Sequence, residues 1–147
     1  MIVIRKTKNK EENIKMEQMI NDYSFSNNIN SSSIFFVLED KGEIKGGCNF
    51  QIANRYVIIN FLVIDKDRRG ENLGDGLLRS VLNYCSKNDV EKAYFIGDSN
   101  YLLKKGFSRI EGDINEAKVP IIRENIKNIL ECDVEDFFSK GCCCKRS

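Results

Sequence analysis

The segment of this sequence richest in chemistry runs Val63-Ile64-Asp65-Lys66-Asp67-Arg68-Arg69-Gly70-Glu71-Asn72-Leu73-Gly74-Asp75-Gly76-Leu77-Leu78. Gly70, Asn72, Gly74 and Gly76 permit tight or left-handed backbone turns. A loop of that kind, set before a helix, can aim several N–H groups at one point where the helix dipole is positive. That is the chemistry of a diphosphate cradle, and Arg68 and Arg69 add charge at its lip. The same spacing also suits a plain flexible connection between a strand and a helix, because glycine-rich loops are common. Spacing alone leaves both readings open.

Other chemistries are excluded by composition. The sequence has no His, which removes His-based triads, His metal sites and a His general base. Lys and Arg total 23 against 22 Asp and Glu. That balance argues against a nucleic-acid binder held by a general basic field, while leaving room for one local basic spot. No apolar run approaches a membrane span, and the start, Met1-Ile2-Val3-Ile4-Arg5-Lys6, is charged too soon for a signal peptide. The expectation is a cytoplasmic protein with reduced thiols. Cys48, Cys85 and Cys132 lie in apolar stretches and read as small buried hydrophobes. Cys142-Cys143-Cys144 raises a metal or redox site, but adjacent side chains in an extended chain diverge and no Cys-x-x-Cys pair is present. No metal is expected. Cys144-Lys145-Arg146-Ser147 has the length of a prenylation box without its aliphatic residues.

The elements that must position the loop follow from periodicity. With 147 residues, 41% hydrophobic and 31% charged, the chain reads as one domain over residues 1–140 with a Cys-rich tail at 141–147. Ile2 to Ile4 suggests a strand. Met16, Met19, Ile20 and Tyr23 share a helix face, and Ser24 to Ser33 is a polar loop. Ile34–Leu38 and Ile44–Ile52 form a hairpin about Glu39–Glu43, and Tyr56–Ile64 is the longest β-rich run. Leu77, Leu78, Val81, Leu82 and Cys85 then repeat as a helix face. Ala93–Ile96 is a strand, Asn100–Lys105 a short helix ended by Gly106, and Phe107–Glu111 a strand. Pro120 can open a last helix with Ile122, Ile126, Ile129 and Leu130 on its apolar face. The order β-α-β-β-β-α-β-α-β, then a helix, implies an α/β (α+β) fold with a mixed sheet.

Arg69 to Gly74 resembles the acetyl-CoA motif of the GNAT superfamily of N-acetyltransferases, Arg/Gln-x-x-Gly-x-Gly/Ala after a central strand. Arg69 takes the first position, Asn72 the first Gly and Gly74 the second. Asn72 departs from the pattern, yet Asn tolerates left-handed backbone next best after Gly. Leu62-Val63-Ile64 resembles the strand that splays in this family. Leu77-Leu78 resembles the first buried pair of the next helix, and Tyr101-Leu102-Leu103-Lys104-Lys105-Gly106-Phe107 its short helix closing in Gly-Phe. The likeness covers roughly Ile34 to Ile110, in order. A narrower resemblance, to the amino-acid-acetylating branch of the acetylglutamate synthase type, rests on Gly47-Cys48, the short path from Phe95 to Tyr101, and a Pro-started helix ending at Cys132.

The resemblance implies a mostly antiparallel sheet of six or seven strands, splayed in the middle, with helices on both faces. It implies acetyl-CoA as cosubstrate and a small amine as acceptor, with neither nucleic acid nor membrane as partner. Either a monomer or a homodimer is compatible with it. Leu62, Val63 and Ile64 would pair with the pantetheine arm, and the diphosphate would rest on Arg69, Gly70, Glu71, Asn72, Leu73, Gly74, Asp75 and Gly76. Asn100 would bond the pantetheine arm. Many relatives carry a Glu where this sequence has Asn60, which could order a water relay instead. Many carry a Tyr where alignment on Gly106-Phe107 places Leu102. Tyr101, one step earlier, is then the candidate acid, although one helical step is about 100° of rotation. Asp98 is a candidate base or a helix cap. The implied activity is direct transfer of an acetyl group to a primary amine, amino acids included. The alternatives are a catalytically weak acyl-CoA-binding regulatory module and a protein or peptide N-acetyltransferase.

Overall fold

A computed structural model describes residues 2–22, 33–65, 68, 70, 72–97, 99–110 and 129–139. In chain order the elements are β1 (Ile2–Lys6), α1 (Lys10–Asp22), β2 (Ile34–Asp40), β3 (Glu43–Ala53), β4 (Tyr56–Ile64), α2 (Leu73–Lys87), β5 (Lys92–Ile96), α3 (Asn100–Lys104), β6 (Ser108–Arg109) and β7 (Ile129–Asp133). Residues 134–139 form a further helical segment. The described strands make one seven-stranded sheet in the order β1-β2-β3-β4-β5-β7-β6.

The central pairing creates the site. β3 follows β4 antiparallel along its length, from Ala53↔Tyr56 to Gly46↔Ile64. β5 follows β4 in parallel only from Tyr56↔Lys92 to Ile59↔Phe95. Beyond Ile59 the two strands part, and β5 continues its pairing with β7 instead. A β-bulge sits at the same place: Asn49 pairs with Phe61 and Phe50 with Ile59, so Asn60 is the extra residue. A bulge bends a strand and sharpens its twist, which turns β4 away from β5 at the point of separation.

Alternation along the strands sends side chains to two separate cores. On one face Phe36, Leu38, Cys48, Phe50, Val57, Ile59 and Ile64 pack with Leu77, Leu78, Val81, Leu82 and Cys85 of α2, with Leu102 of α3 and with Val134 and Phe137. On the other face Phe35, Val37, Phe61 and Val63 pack with Met16 of α1. Gly47 allows that second contact, since a Cβ there would run into the Met16 thioether and the Phe36 carbonyl. Burial raises the Cys48 thiol pKa and pushes that of Cys85 up to about 12. Cys48, Cys85 and Cys132 are buried free thiols, as their apolar neighbourhoods imply.

One correction concerns the C-terminal part. Ile129, Leu130 and Cys132 belong to β7, not to a helix face or its end. Ile129 and Leu130 fit a helix template with Ile122 and Ile126, but short apolar runs fit both periods. Here Leu130 pairs with Phe95 and Cys132 with Ala93, so β7 covers an edge of β5 that would otherwise lack a partner. One cue for the acetylglutamate synthase branch falls with it, because Cys132 does not end a helix. Residues 111–128, including Pro120, Ile122 and Ile126, lie outside the described residues, as do Tyr23 to Ser32 and the side chains of Met19 and Ile20.

β1, α1 and β2 are tied by one ion network. Arg5 meets Glu12 at 2.7 Å and Glu39 at 3.2 Å. The Glu12 carboxylate also accepts from the Lys8 N–H at 2.6 Å, while the Asn9 side chain accepts from the Glu12 N–H at 3.0 Å and caps α1. The Arg5 hydrogen bond first, and the Lys8 amide next, hold the Glu12 carboxyl at about 2 against an ordinary 4.5. A depressed carboxyl contributes stability above its unfolded pKa and loses it as pH falls through the folded one. The Arg5 and Glu12 side chains are 18% and 19% exposed, so solvent screening trims the contribution. We predict that Glu12→Gln costs about 1–2 kcal/mol at neutral pH. Urea unfolding at pH 7 and pH 3 checks this: the gap between parent and variant should narrow at pH 3. A gap of equal size at both pH values would refute the ion-pair account.

Candidate active site

A cavity of about 440 Å3 opens where β4 and β5 separate. Leu62, Val63 and Ile64 of β4 form one wall. Arg68, Gly70, Asn72, Leu73, Gly74 and Asp75 form the rim at the start of α2, and Phe95, Ser99, Tyr101 and Leu102 close the far side. Phe95 is the last β5 residue paired to β4, so the cavity begins at the split itself.

The rim is shaped by two left-handed residues. Asn72 has φ 60 and ψ 22 and is the N-cap of α2, and Gly70 has φ 92. Asn72 therefore adopts the conformation its place in the motif demands. Its side chain makes no capping hydrogen bond. The first amides of a helix have no intrahelical acceptor, and the residues that carry them here, Leu73, Gly74 and Asp75, line the cavity rim at the positive end of the dipole. At Gly74 a Cβ would lie 3.4 Å from the Tyr101 Oη and 3.7 Å from Ile64 Cγ1, which places Gly74 between the two walls. Gly76 faces away, with Ile4 the nearest side-chain neighbour of a Cβ there. Arg68 pairs with Asp40 at 3.0 Å.

Tyr101 reaches the cavity despite its offset of one helical step. Its pKa is pushed up to about 12 by burial and then by the Asp75 charge, so the phenol keeps its proton at neutral pH. Leu102, at the position where the resemblance implies a Tyr, is 2% exposed and belongs to the core as well as the cavity wall. Ser99, which sequence reasoning missed, caps α3 by accepting from the Leu102 N–H at 3.2 Å and also lines the cavity. A Ser just before a short helix is an ordinary capping signal and was available in the sequence. Ser99 is thus the N-cap, and Asp98 lies with Arg69 and Glu71 outside the described residues. Asn100 is exposed and does not line the cavity.

Asn60 is 4% exposed and sits apart from the cavity lining. Its Nδ2 donates to the Asn49 Oδ1 at 2.7 Å, and the Asn49 Nδ2 donates to the Ser33 Oγ at 3.0 Å. The Asn60 Oδ1 is buried without a hydrogen-bond partner among the described residues. Asn49 alternates with Cys48 and Phe50 of the α2-side core, so this polar chain belongs to the α1 face of the sheet.

The sequence model of the family described as acetyltransferase (GNAT) domain matches residues 4–123. The chain belongs to the GNAT acetyltransferase family. It is an acyltransferase by that membership, and solved structures share its fold. A GNAT acetyltransferase from Staphylococcus aureus Mu50 is 17% identical with a TM-score of 0.71, covering 91% of this chain and 99% of that one. Gcn5 from Tetrahymena is 16% identical with a TM-score of 0.71, covering 90% and 96%. N-acetylglutamate synthase from Neisseria gonorrhoeae, complexed with coenzyme A and N-acetyl-glutamate, is 13% identical with a TM-score of 0.69, covering 91% of this chain and 35% of that one. A search of curated proteins found no match. Among the described residues of this GNAT domain no helix is long and apolar enough to cross a membrane. Nor do those residues bring together three or more groups able to hold a metal. Cys142 to Cys144 are outside them.

Proposed function

We propose that this GNAT domain transfers an acetyl group directly from acetyl-CoA to a primary amine of a small molecule, amino acids being the first class to test. The observation that carries the reading is the cavity at the β4–β5 split, bounded by the stretch of β4 that β5 no longer follows on one side and by the first turn of α2 on the other. An extended amide-bearing arm suits the first boundary by pairing with the backbone of Leu62–Ile64. A diphosphate suits the second, on the amides of Leu73 to Asp75 with Gly70 and Asn72 turning the chain and Arg69 and Glu71 in the same loop. Coenzyme A supplies both groups and a thioester. Ser99 replaces Asn100 as the polar contact expected at the start of α3.

Positioning provides most of the rate in this reading. The cavity walls hold the thioester beside the amine, and a backbone N–H of the β4 edge donates to its oxygen as negative charge develops. The amine nitrogen forms the new C–N bond, the C–S bond breaks, and Tyr101 gives its phenolic proton to the leaving sulfur. The amine proton passes to water in the cavity, with Asp98 the candidate base. Residues 1–140 form the catalytic unit, and 141–147 lie outside it.

Two other readings have specific support. The amide at Asn60, in place of the implied Glu, favours an acyl-CoA-binding regulatory module with weak catalysis. The fold is also that of ribosomal-protein-S18-alanine N-acetyltransferase from Escherichia coli, 15% identical with a TM-score of 0.64, and a protein or peptide acceptor is the other reading. Thiol release from acetyl-CoA in the presence of amino acids, polyamines, aminoglycosides and peptide N-termini separates all three. The proposal expects the fastest release with a small amine. Tight coenzyme A binding with no release for any acceptor would replace it with the regulatory module.

A further inference from the structure

An acidic residue stands in the wall that the proposed function gives to a diphosphate. Asp75 lies in the first turn of α2 and lines the cavity rim. Its charge favours the helix dipole but opposes a second anion at the same amides. Lys105, just beyond α3, meets it: the Lys105 Nζ is 3.0 Å from the Asp75 Oδ1. The same ammonium lies 5.5 Å from the centre of the Tyr101 ring, within cation–π range. Tyr101 in turn has its hydroxyl beside Gly74. Two cavity-lining side chains, Asp75 and Tyr101, thus hold one cation in place, and it comes from a different element.

We infer that Lys105 is the counter-charge that lets this cavity accept a diphosphate, acting by neutralising Asp75 rather than by touching the phosphates. The inference rests on the proposed coenzyme A site. Lys105 is a positioning residue here, and its two neighbours set the sign of every expected effect. Loss of the ammonium leaves the Asp75 carboxylate facing the ligand's anion. Loss of the carboxylate removes the repulsion and frees the ammonium. A pair that served only to clamp α3 onto α2 would behave otherwise, since either substitution would loosen the wall and weaken binding.

Calorimetric titration of coenzyme A into the parent, Lys105→Ala, Asp75→Asn and the double variant tests this, with pantetheine as a second probe that lacks the diphosphate. Lys105→Ala should bind coenzyme A more weakly by about five- to twentyfold at low salt. Asp75→Asn should bind it at least as tightly as the parent, and the double variant should recover most of the loss. Pantetheine binding should be indifferent to all three. Weakened binding in Asp75→Asn, or a double variant as weak as Lys105→Ala, would overturn the inference in favour of a clamp or of direct phosphate contact. Parent-like binding by Lys105→Ala would overturn it while leaving the cavity assignment in place. A parent that binds no coenzyme A would overturn both.

Discussion

Gly74→Val should abolish coenzyme A binding, by roughly a hundredfold or more in affinity, while the domain stays folded. The backbone does not require glycine at this position, because Gly74 is absent from the residues with positive φ. Valine is also a better helix former than glycine by a few tenths of a kcal/mol, so the helix itself tolerates the change. What the position cannot tolerate is volume. A Cβ alone would come within 3.4 Å of the Tyr101 hydroxyl and 3.7 Å of Ile64 Cγ1. The two γ-methyls of valine would add volume between those walls, where Gly74 lines the cavity. They would screen the α2 amides and narrow the channel along β4. Thermal unfolding of the variant should be unchanged or slightly raised, and calorimetry with coenzyme A should show no resolvable heat. Parent-like affinity in the folded variant would show that the diphosphate does not approach α2 at Gly74.

The residues that define this wall were legible in the sequence to different degrees, for physical reasons. β4 was readable from Tyr56 to Ile64 because a strand buried on both faces is a continuous apolar run. α2 was readable because Leu77, Leu78, Val81, Leu82 and Cys85 all face one core. Asn72 was readable as a left-handed residue because few residue types can stand there. β7 was not readable. Its five residues carry a period too short to choose between strand and helix, and its conformation is decided by the free edge of β5 nearly forty positions earlier. The divergence of β4 from β5 is equally non-local. It depends on the bulge at Asn60, and nothing in the run Ile58-Ile59-Asn60-Phe61 marks a bulge except a polar residue among apolar ones. That Asn carries the one polar side chain in the run, and it is oriented by Asn49 on the neighbouring strand. Lys105 was invisible as a site residue, since a Lys near a helix C-terminus is ordinary and only the fold brings it to Asp75.

The second large effect concerns Tyr101. Turnover by Tyr101→Phe is expected to fall by about tenfold to a hundredfold, the range or just below it for one general acid. Coenzyme A affinity should change far less. Three features bear on the size of the loss. Tyr101 supplies the phenol that lines the cavity, with its proton held up to about pH 12 by burial and then by Asp75. Leu102 cannot substitute for it. Yet positioning and the strand-edge donor stabilise the transition state without any titrating group, so activity should persist. The pH profile separates these contributions. A group with a raised pKa stays protonated across the working range, so parent turnover should climb with pH as the acceptor amine loses its proton and then level off. No descending limb should appear below about pH 10, because Tyr101 remains an acid there. The variant should show the same rising limb, since that ionisation belongs to the acceptor, at a uniformly lower height. If instead the variant's profile shifted along the pH axis, Tyr101 would be setting the protonation of the amine rather than that of the thiolate. Complete loss of turnover with coenzyme A binding intact would show that the phenol is indispensable and that positioning by the split strand does not carry the reaction.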